Sequence, residues 1–156
     1  MSRAFVKEQD DIPDELPERP VSANPNFVTA RGLALIDAEI DTCRKHLAQG
    51  QHDQDKAAIA RASRDLRYWT QRRSSAQLVG SAEKPEAVGF ATRVTITRED
   101  GRKQAFSIVG EDEADPAKGL IAYTSPMARA LMGKGVGDVA DVPGGEVEIT
   151  GFEGLG

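Results

Sequence analysis

The chain reads as an α+β protein: an N-terminal antiparallel helical hairpin, or coiled coil, followed by an antiparallel sheet domain with one short helix. Three observations predict this. Between Thr29 and Ala76 apolar residues recur at alternating spacings of three and four, the period of a stripe along a helix. After Gly80 short runs rich in Val, Ile and Thr alternate with turn residues, the pattern of strands. The pair Ser125-Pro126 then opens a short run of helix-forming residues.

Residues 1–26 carry Pro13, Pro17, Pro20 and Pro25 among many acids and few apolar groups. Proline blocks helix interiors, and so little apolar surface cannot offset ordering entropy. A flexible, acidic, Pro-rich arm is expected there. The helical hairpin is expected over 27–79. Thr29 suits an N-cap, because its hydroxyl can accept a free backbone N–H. Leu33, Ile36, Ile40, Cys43 and Leu47 form the first seam. Gly50 is expected to stop it, and the polar run Gly50 to Asp55 reads as the turn. Ile59, Ala62, Leu66, Trp69 and Ala76 form the second seam, interrupted by Arg73. Each arm is about 19 residues, roughly 28 Å of helix.

A linker is expected over 80–88 and the sheet domain over 89–156. Phe90 to Thr97 reads as a strand leading to the turn Glu99-Asp100-Gly101, and Lys103 to Val109 as its return. An acidic loop follows, Gly110 to Pro116, and then a strand over Leu120 to Tyr123. Ser125 is placed to cap a helix that has Pro126 in its first turn and stops at Gly133. Val136 to Val142 and Glu146 to Phe152 read as a final pair of strands around Pro143-Gly144-Gly145.

Composition narrows the classes. Aromatics are only 5%, so any core must rest on Val, Ile, Leu and Ala, and the formal net charge of -5 argues against a general nucleic-acid coat. The charge is uneven, however. Lys56 to Arg73 holds six bases against Asp65 alone. The single cysteine, Cys43, can make neither an internal disulfide nor a thiolate metal site by itself. The N-terminal residues include no apolar stretch long enough for a signal peptide, and no later run approaches a membrane span. A cytoplasmic protein that binds no membrane is expected.

Four blocks then carry a resemblance. They are Ile108-Val109-Gly110-Glu111-Asp112-Glu113-Ala114-Asp115, Ser125-Pro126-Met127-Ala128-Arg129-Ala130-Leu131-Met132-Gly133-Lys134, Val136-Gly137-Asp138-Val139, and Pro143-Gly144-Gly145-Glu146-Val147. In this order and spacing they resemble the C-terminal domain of the Gre bacterial transcript-cleavage factors. Leu66 to Arg72 looks like the base of the family's second coil helix, nearest the GreB branch, and Val28 to Gly32 like the start of its coil. The arm before Phe27 has no counterpart in short family members.

The resemblance implies a transcription elongation factor whose sheet domain, similar to the FK506-binding isomerases (FKBP-like), binds RNA polymerase at its secondary channel. The coil enters that channel. Acidic residues at its tip help hold the polymerase's catalytic magnesium and promote cleavage of backtracked transcripts. Asp112, Glu113, Asp115, Ser125, Pro126, Met127 and Arg129 become candidate polymerase contacts. Asp53 and Asp55 become the candidate tip acids, and Arg61, Arg64 and Arg67 candidate RNA contacts. The factor would be no enzyme itself and hold no metal of its own, sharing magnesium with the polymerase. Nascent RNA and DNA would be met only within the elongation complex, and a monomer is expected.

The tip departs from the family's Gly-Asp-x-x-Glu-Asn-Ala. Aligned on Gly50, the family's two acids become Gln51 and Gln54, and amides are weaker magnesium ligands. The coil is also shorter. Asp53 and Asp55 remain close in sequence, but on a helix two residues apart point about 200° apart. As turn residues they would simply cap and solvate, as the basic residues would line a solvated face and the acids a solvated loop. A channel-occupying regulator that does not promote cleavage is the alternative. Two readings from other classes fit less well. A prolyl isomerase needs an aromatic-lined pocket, for which Phe90, Phe106, Tyr123 and Phe152 are available, some of them needed in the core. A hydrolase needs a nucleophile paired with a base, and the two histidines, His46 and His52, both fall in the coil.

Overall fold

The computed structural model describes residues 16–156. The part of the acidic arm before Leu16 lies outside the described residues. The chain divides into two compact units. One comprises the described residues through Ala23 with Leu35–Ser75; the other comprises Asn24–Ala34 with Ala76–Gly156.

In the first unit, helix α1 (Ala30–Asp53) and helix α2 (Lys56–Ser75) form the hairpin; residues 30–34 of α1 group with the second unit. Ile36, Ile40 and Cys43 of α1 and Ala60 and Ala62 of α2 are buried, and Leu47, Ile59, Leu66 and Trp69 are half-buried. The seam read from the sequence is the packed face. Arg72, grouped by sequence with the exposed basic residues, is instead buried at 2% exposure.

Gly50 does not stop α1, which continues to Asp53. Gly50 is buried, and a Cβ on it would stand 3.2 Å from both the Ile59 side chain and the Ile59 backbone nitrogen. The glycine therefore lets the two helices approach beside their turn. The turn itself is shorter than expected. The Asp55 N–H donates to the Gly50 carbonyl at 2.9 Å and the Gln54 N–H to the Gln51 carbonyl at 3.3 Å, the paired bonds of a Schellman ending. Gln54 takes the left-handed position at φ 53°.

The arm also differs from expectation where it is described. Residues 16–23 hold defined positions against α2. Glu18 pairs with Arg67 at 2.6 Å and Arg19 with Asp65 at 3.3 Å. Composition showed too few apolar groups for a core, but charge and aromatic contacts order this stretch instead.

The second unit holds a two-residue parallel pair, β1 (Phe27–Val28) with β2 (Gln77–Leu78). Its main sheet contains β3 (Thr92–Arg98), β4 (Lys103–Val109), β5 (Leu120–Ala122), β6 (Val139–Val142) and β7 (Gly145–Gly154) in the order β5-β4-β3-β7-β6. Every neighbouring pair in it is antiparallel except β4 and β5, which run parallel. The sheet read as antiparallel is mostly so, with one parallel pair at its β5 edge. The loop from Gly110 to Gly119, with its 3-10 turn Pro116–Lys118, returns the chain to the same end of the sheet, and because β5 has only three residues it need retrace only about 10 Å of strand. Asp115 and Leu120 close it through reciprocal backbone bonds of 2.8 and 3.1 Å.

The core joins Val94 and Ile96 of β3, Ile108 of β4, Ile121 of β5 and Val147 and Ile149 of β7 with Ala128 and Leu131 of helix α3 (Pro126–Leu131). α3 begins as its sequence specifies. Ser125 Oγ accepts the Ala128 N–H at 3.2 Å, with Pro126 in the first turn. Phe27, Phe90 and Tyr123 make a three-ring cluster with centroids 5.4–5.9 Å apart, and Phe106 and Phe152 pack on the core. All four rings available for an isomerase pocket thus serve packing.

At the end of β4 the Phe27 carbonyl passes so close to Gly110 that a Cβ there would overlap it, at 2.3 Å. Both partners are backbone, so neither can swing away. Gly110→Ala is expected to destabilise the protein by about 1–3 kcal/mol in chemical denaturation. Gly151→Ala, with nothing within 4 Å of the added carbon, is expected to cost less.

Candidate functional site

The candidate residues fall into three places, each within one unit. The first is the hairpin tip. Asp53 ends α1, is exposed, and accepts a bond from Gln49 Nε2 at 3.0 Å. Asp55 precedes α2, and its Oδ1 accepts the Ala58 N–H at 3.1 Å. The two acids serve different helices, one as a final-turn residue and one as an N-cap. Among the described residues no three His, Cys, Asp or Glu side chains are grouped to hold a metal ion.

The second place is the face of α2. Arg61 is exposed. Arg64 Nε lies 3.1 Å from Asp65 Oδ1, and Arg67 Nε bonds Glu18. Arg19 stacks its guanidinium 3.9 Å from the centre of the Tyr68 ring, which meets Trp69 edge-on at 5.0 Å. Sequence reasoning singled out the arginines but missed these partners, for nothing local links residue 19 to residue 68. Deeper in this unit, Cys43 is buried. Burial, with help from Asp65 and Glu39, pushes its thiol above the ordinary range, while Arg19 pulls the other way. The thiol therefore stays protonated and takes a packing role.

The third place lies in the second unit, where the acidic loop and the α3 start were both assigned to partner docking. Asp112 is half-buried, and Asp115 is tied to the loop backbone and lies 3.9 Å from Lys118. Glu113 departs from the solvated loop expected. It is only 6% exposed. Its carboxylate accepts the Thr29 hydroxyl and an Arg31 N–H at 2.9 Å. The same Thr29 oxygen accepts the Gly32 N–H at 3.0 Å, capping α1. A Cβ on Gly32 would stand 2.8 Å from Glu113 Oε1. Thr29, Arg31 and Gly32 are thus fitted to one buried carboxylate. The stretch Val28 to Gly32 did stand out in the sequence, but its partner did not.

Around α3, Pro126 and Arg129 are exposed and Met127 is partly buried against the core. Beside them Asn24, Pro25, Tyr123, Thr124, Arg129 and Met132 line an open hollow of about 340 Å³. It offers one guanidinium and an aromatic edge to a partner. The Tyr123 hydroxyl donates to the Pro25 carbonyl at 2.5 Å, which fixes one rim. No helix among the described residues is long and apolar enough to cross a membrane.

Residues 83–152 match the family described as transcription elongation factor, GreA/GreB, C-term. The transcription elongation factor GreA of Methylobacterium sp. (strain 4-46) is 32% identical, over 83% of this chain and 97% of that protein. GreB of Pasteurella multocida (strain Pm70) is 39% identical, over 74% of this chain and 85% of that protein. Among solved structures, the GreA factor homolog Gfh1 of Thermus thermophilus aligns over 84% of this chain and 100% of its own at 19% identity, with a TM-score of 0.41.

Gln54 makes the tip testable by itself. A residue other than glycine in the left-handed region carries a cost of about 1–2 kcal/mol. Gln54→Gly is expected to recover about 1 kcal/mol of it, measured by chemical denaturation, since the Schellman bonds need only the backbone.

Proposed function

This chain belongs to the GreA/GreB family of transcription elongation factors, and on that premise we propose that it binds RNA polymerase at the secondary channel and promotes transcript cleavage in backtracked complexes. The observation that carries the reading is the second unit. The family-matched stretch 83–152 supplies its main sheet and α3. There a Ser125-capped helix presents Pro126 and Arg129 to solvent next to an open hollow. A rigid element carrying an exposed guanidinium suits recognition of an acidic protein surface. Glu113 is removed from the docking set by its burial; Asp112, Ser125, Pro126, Met127 and Arg129 remain, with Asp115 as a rim residue.

In this reading the polymerase is the catalyst. Asp53 and Asp55 at the tip would add oxygen ligands near its magnesium, and that metal would supply activation of the water that hydrolyses the phosphodiester. Arg61, Arg64 and Arg67 meet the displaced RNA electrostatically. A second reading, channel occupancy without cleavage, is favoured by two features of the tip. The Asp55 carboxylate is engaged as a helix cap, and the family's acid positions hold Gln51 and Gln54.

The test is RNA cleavage in a stalled, backtracked complex, with polymerase binding followed in the same samples. The variant Asp53→Ala/Asp55→Ser removes both carboxylates while serine keeps the cap. The expected result is faster cleavage with the natural chain and loss of that gain in the variant, with binding kept. Binding without acceleration by either protein supports the second reading. Absence of binding contradicts both.

A further inference from the structure

The described arm makes a set of contacts on α2 that neither reading above uses. Glu18 places a carboxylate on Arg67 Nε at 2.6 Å. Arg19 lays its planar guanidinium 3.9 Å above the Tyr68 ring and 5.6 Å from the centre of Trp69, while pairing with Asp65. Arg67 Nη2 is left buried without an acceptor among the described residues, an unsatisfied donor that favours any arrangement supplying one. Next to it Leu47, Ser63, Leu66, Thr70 and Gln71 line an open, largely apolar groove of about 570 Å³.

Arginines interleaved with aromatic rings are the composition that holds single-stranded nucleic acid, bases stacking on the rings and phosphates on the cations. In the closed arrangement Glu18 stands where a phosphate oxygen would meet Arg67. The flat Arg19 group stands where a base would meet Tyr68. We propose that residues 16–23 are a releasable latch that mimics a nucleotide and closes a single-stranded RNA surface built from Arg64, Arg67, Tyr68 and Trp69. This rests on the assignment of Arg64 and Arg67 as RNA contacts and adds the rings and the regulation.

The contacts suit a latch better than a permanent brace. The ion pairs are partly exposed, with side-chain exposures of 36% and 31% for Arg19–Asp65 and 39% and 65% for Arg67–Glu18, and such pairs are individually weak and salt-sensitive. Pro17 and Pro20 flank them and restrict the backbone, which lowers the entropy lost on closing. The latch itself is neutral across Glu18 and Arg19. It therefore excludes RNA by occupying positions, and a ligand pays only for displacing it.

The test uses the full chain and the variant Glu18→Gln/Arg19→Gln, which removes one acid and one base and keeps the net charge. Trp69 is the only tryptophan, so its emission reports the latch directly. Binding of a fluorescently labelled 12-nucleotide oligouridine is followed by anisotropy. The double variant is expected to show altered Trp69 emission and about tenfold tighter RNA binding, as expected when a closed state populated about nine-tenths of the time is opened. Glu18→Gln alone is expected to fall between, and Tyr68→Ala added to the double variant to cancel the gain. Altered emission with unchanged RNA affinity would make the arm a structural brace and overturn the proposal. Unaltered emission would show that these contacts do not hold the arm, and would overturn it equally. Polymerase binding by the same variant is measured separately; its loss would count against the docking assignment and leave the latch standing.

Discussion

The Glu113 carboxylate constrains more of the second unit than any other single group. A carboxylate with 6% exposure must find donors or lose several kcal/mol to desolvation. It finds them in a segment 84 residues away, the Thr29 hydroxyl and the Arg31 guanidinium. That demand explains why threonine caps α1, why arginine sits two residues later, and why the next residue has no side chain. It also explains why Asn24–Ala34 groups with the sheet although most of α1 does not. The bond between Tyr123 and the Pro25 carbonyl, the three-ring cluster and the close pass at Gly110 then hold the rest of that segment.

The tip and the arm show a different economy. The helical unit has a thin core of small and aliphatic residues, so polar contacts at its margins matter more than they would on a thicker domain. Asp55 caps α2, Gln54 accepts a strained backbone position, and Arg19 covers an aromatic pair. The cap and the aromatic cover stabilise the hairpin and occupy groups that the proposed function would use, while the Gln54 position costs about 1 kcal/mol and occupies none of them. Asp55, Arg64 and Arg67 thus each have a partner within the free protein, which the proposed function would require them to exchange.

Much of this was legible in the sequence. The three-four spacing gave both helices and their packed faces, because burial of an apolar stripe is a local pattern. Lys103–Val109 was read to the residue, and Ser125-Pro126 announced α3 because capping is also local. What failed depended on distant partners. Gly50 looked like a stop, but its role is contact with Ile59. The three residues of β5 are too few to carry a direction, so its parallel pairing stayed hidden. In the run Glu111, Asp112, Glu113, Asp115 composition cannot single out the buried acid. The arm looked flexible because its organising contacts, Glu18 on Arg67 and Arg19 on Asp65 and the Tyr68 ring, lie some fifty residues away in sequence. The candidate site was therefore legible in its residue types and illegible in which of them are already engaged.

The most direct measurement is a double-mutant cycle on the Thr29–Glu113 bond, using Thr29→Val, Glu113→Ala and both together in urea denaturation. Valine keeps the shape of threonine while removing both the donor to Glu113 and the oxygen that caps α1, and the cap loss, common to the single and double variants, cancels in the cycle. If this buried contact holds Asn24–Ala34 in place, the two changes are expected to couple by about 1–3 kcal/mol. Additivity to within about 0.5 kcal/mol would contradict the account and reduce Glu113 to a buried acid that the surrounding structure merely tolerates.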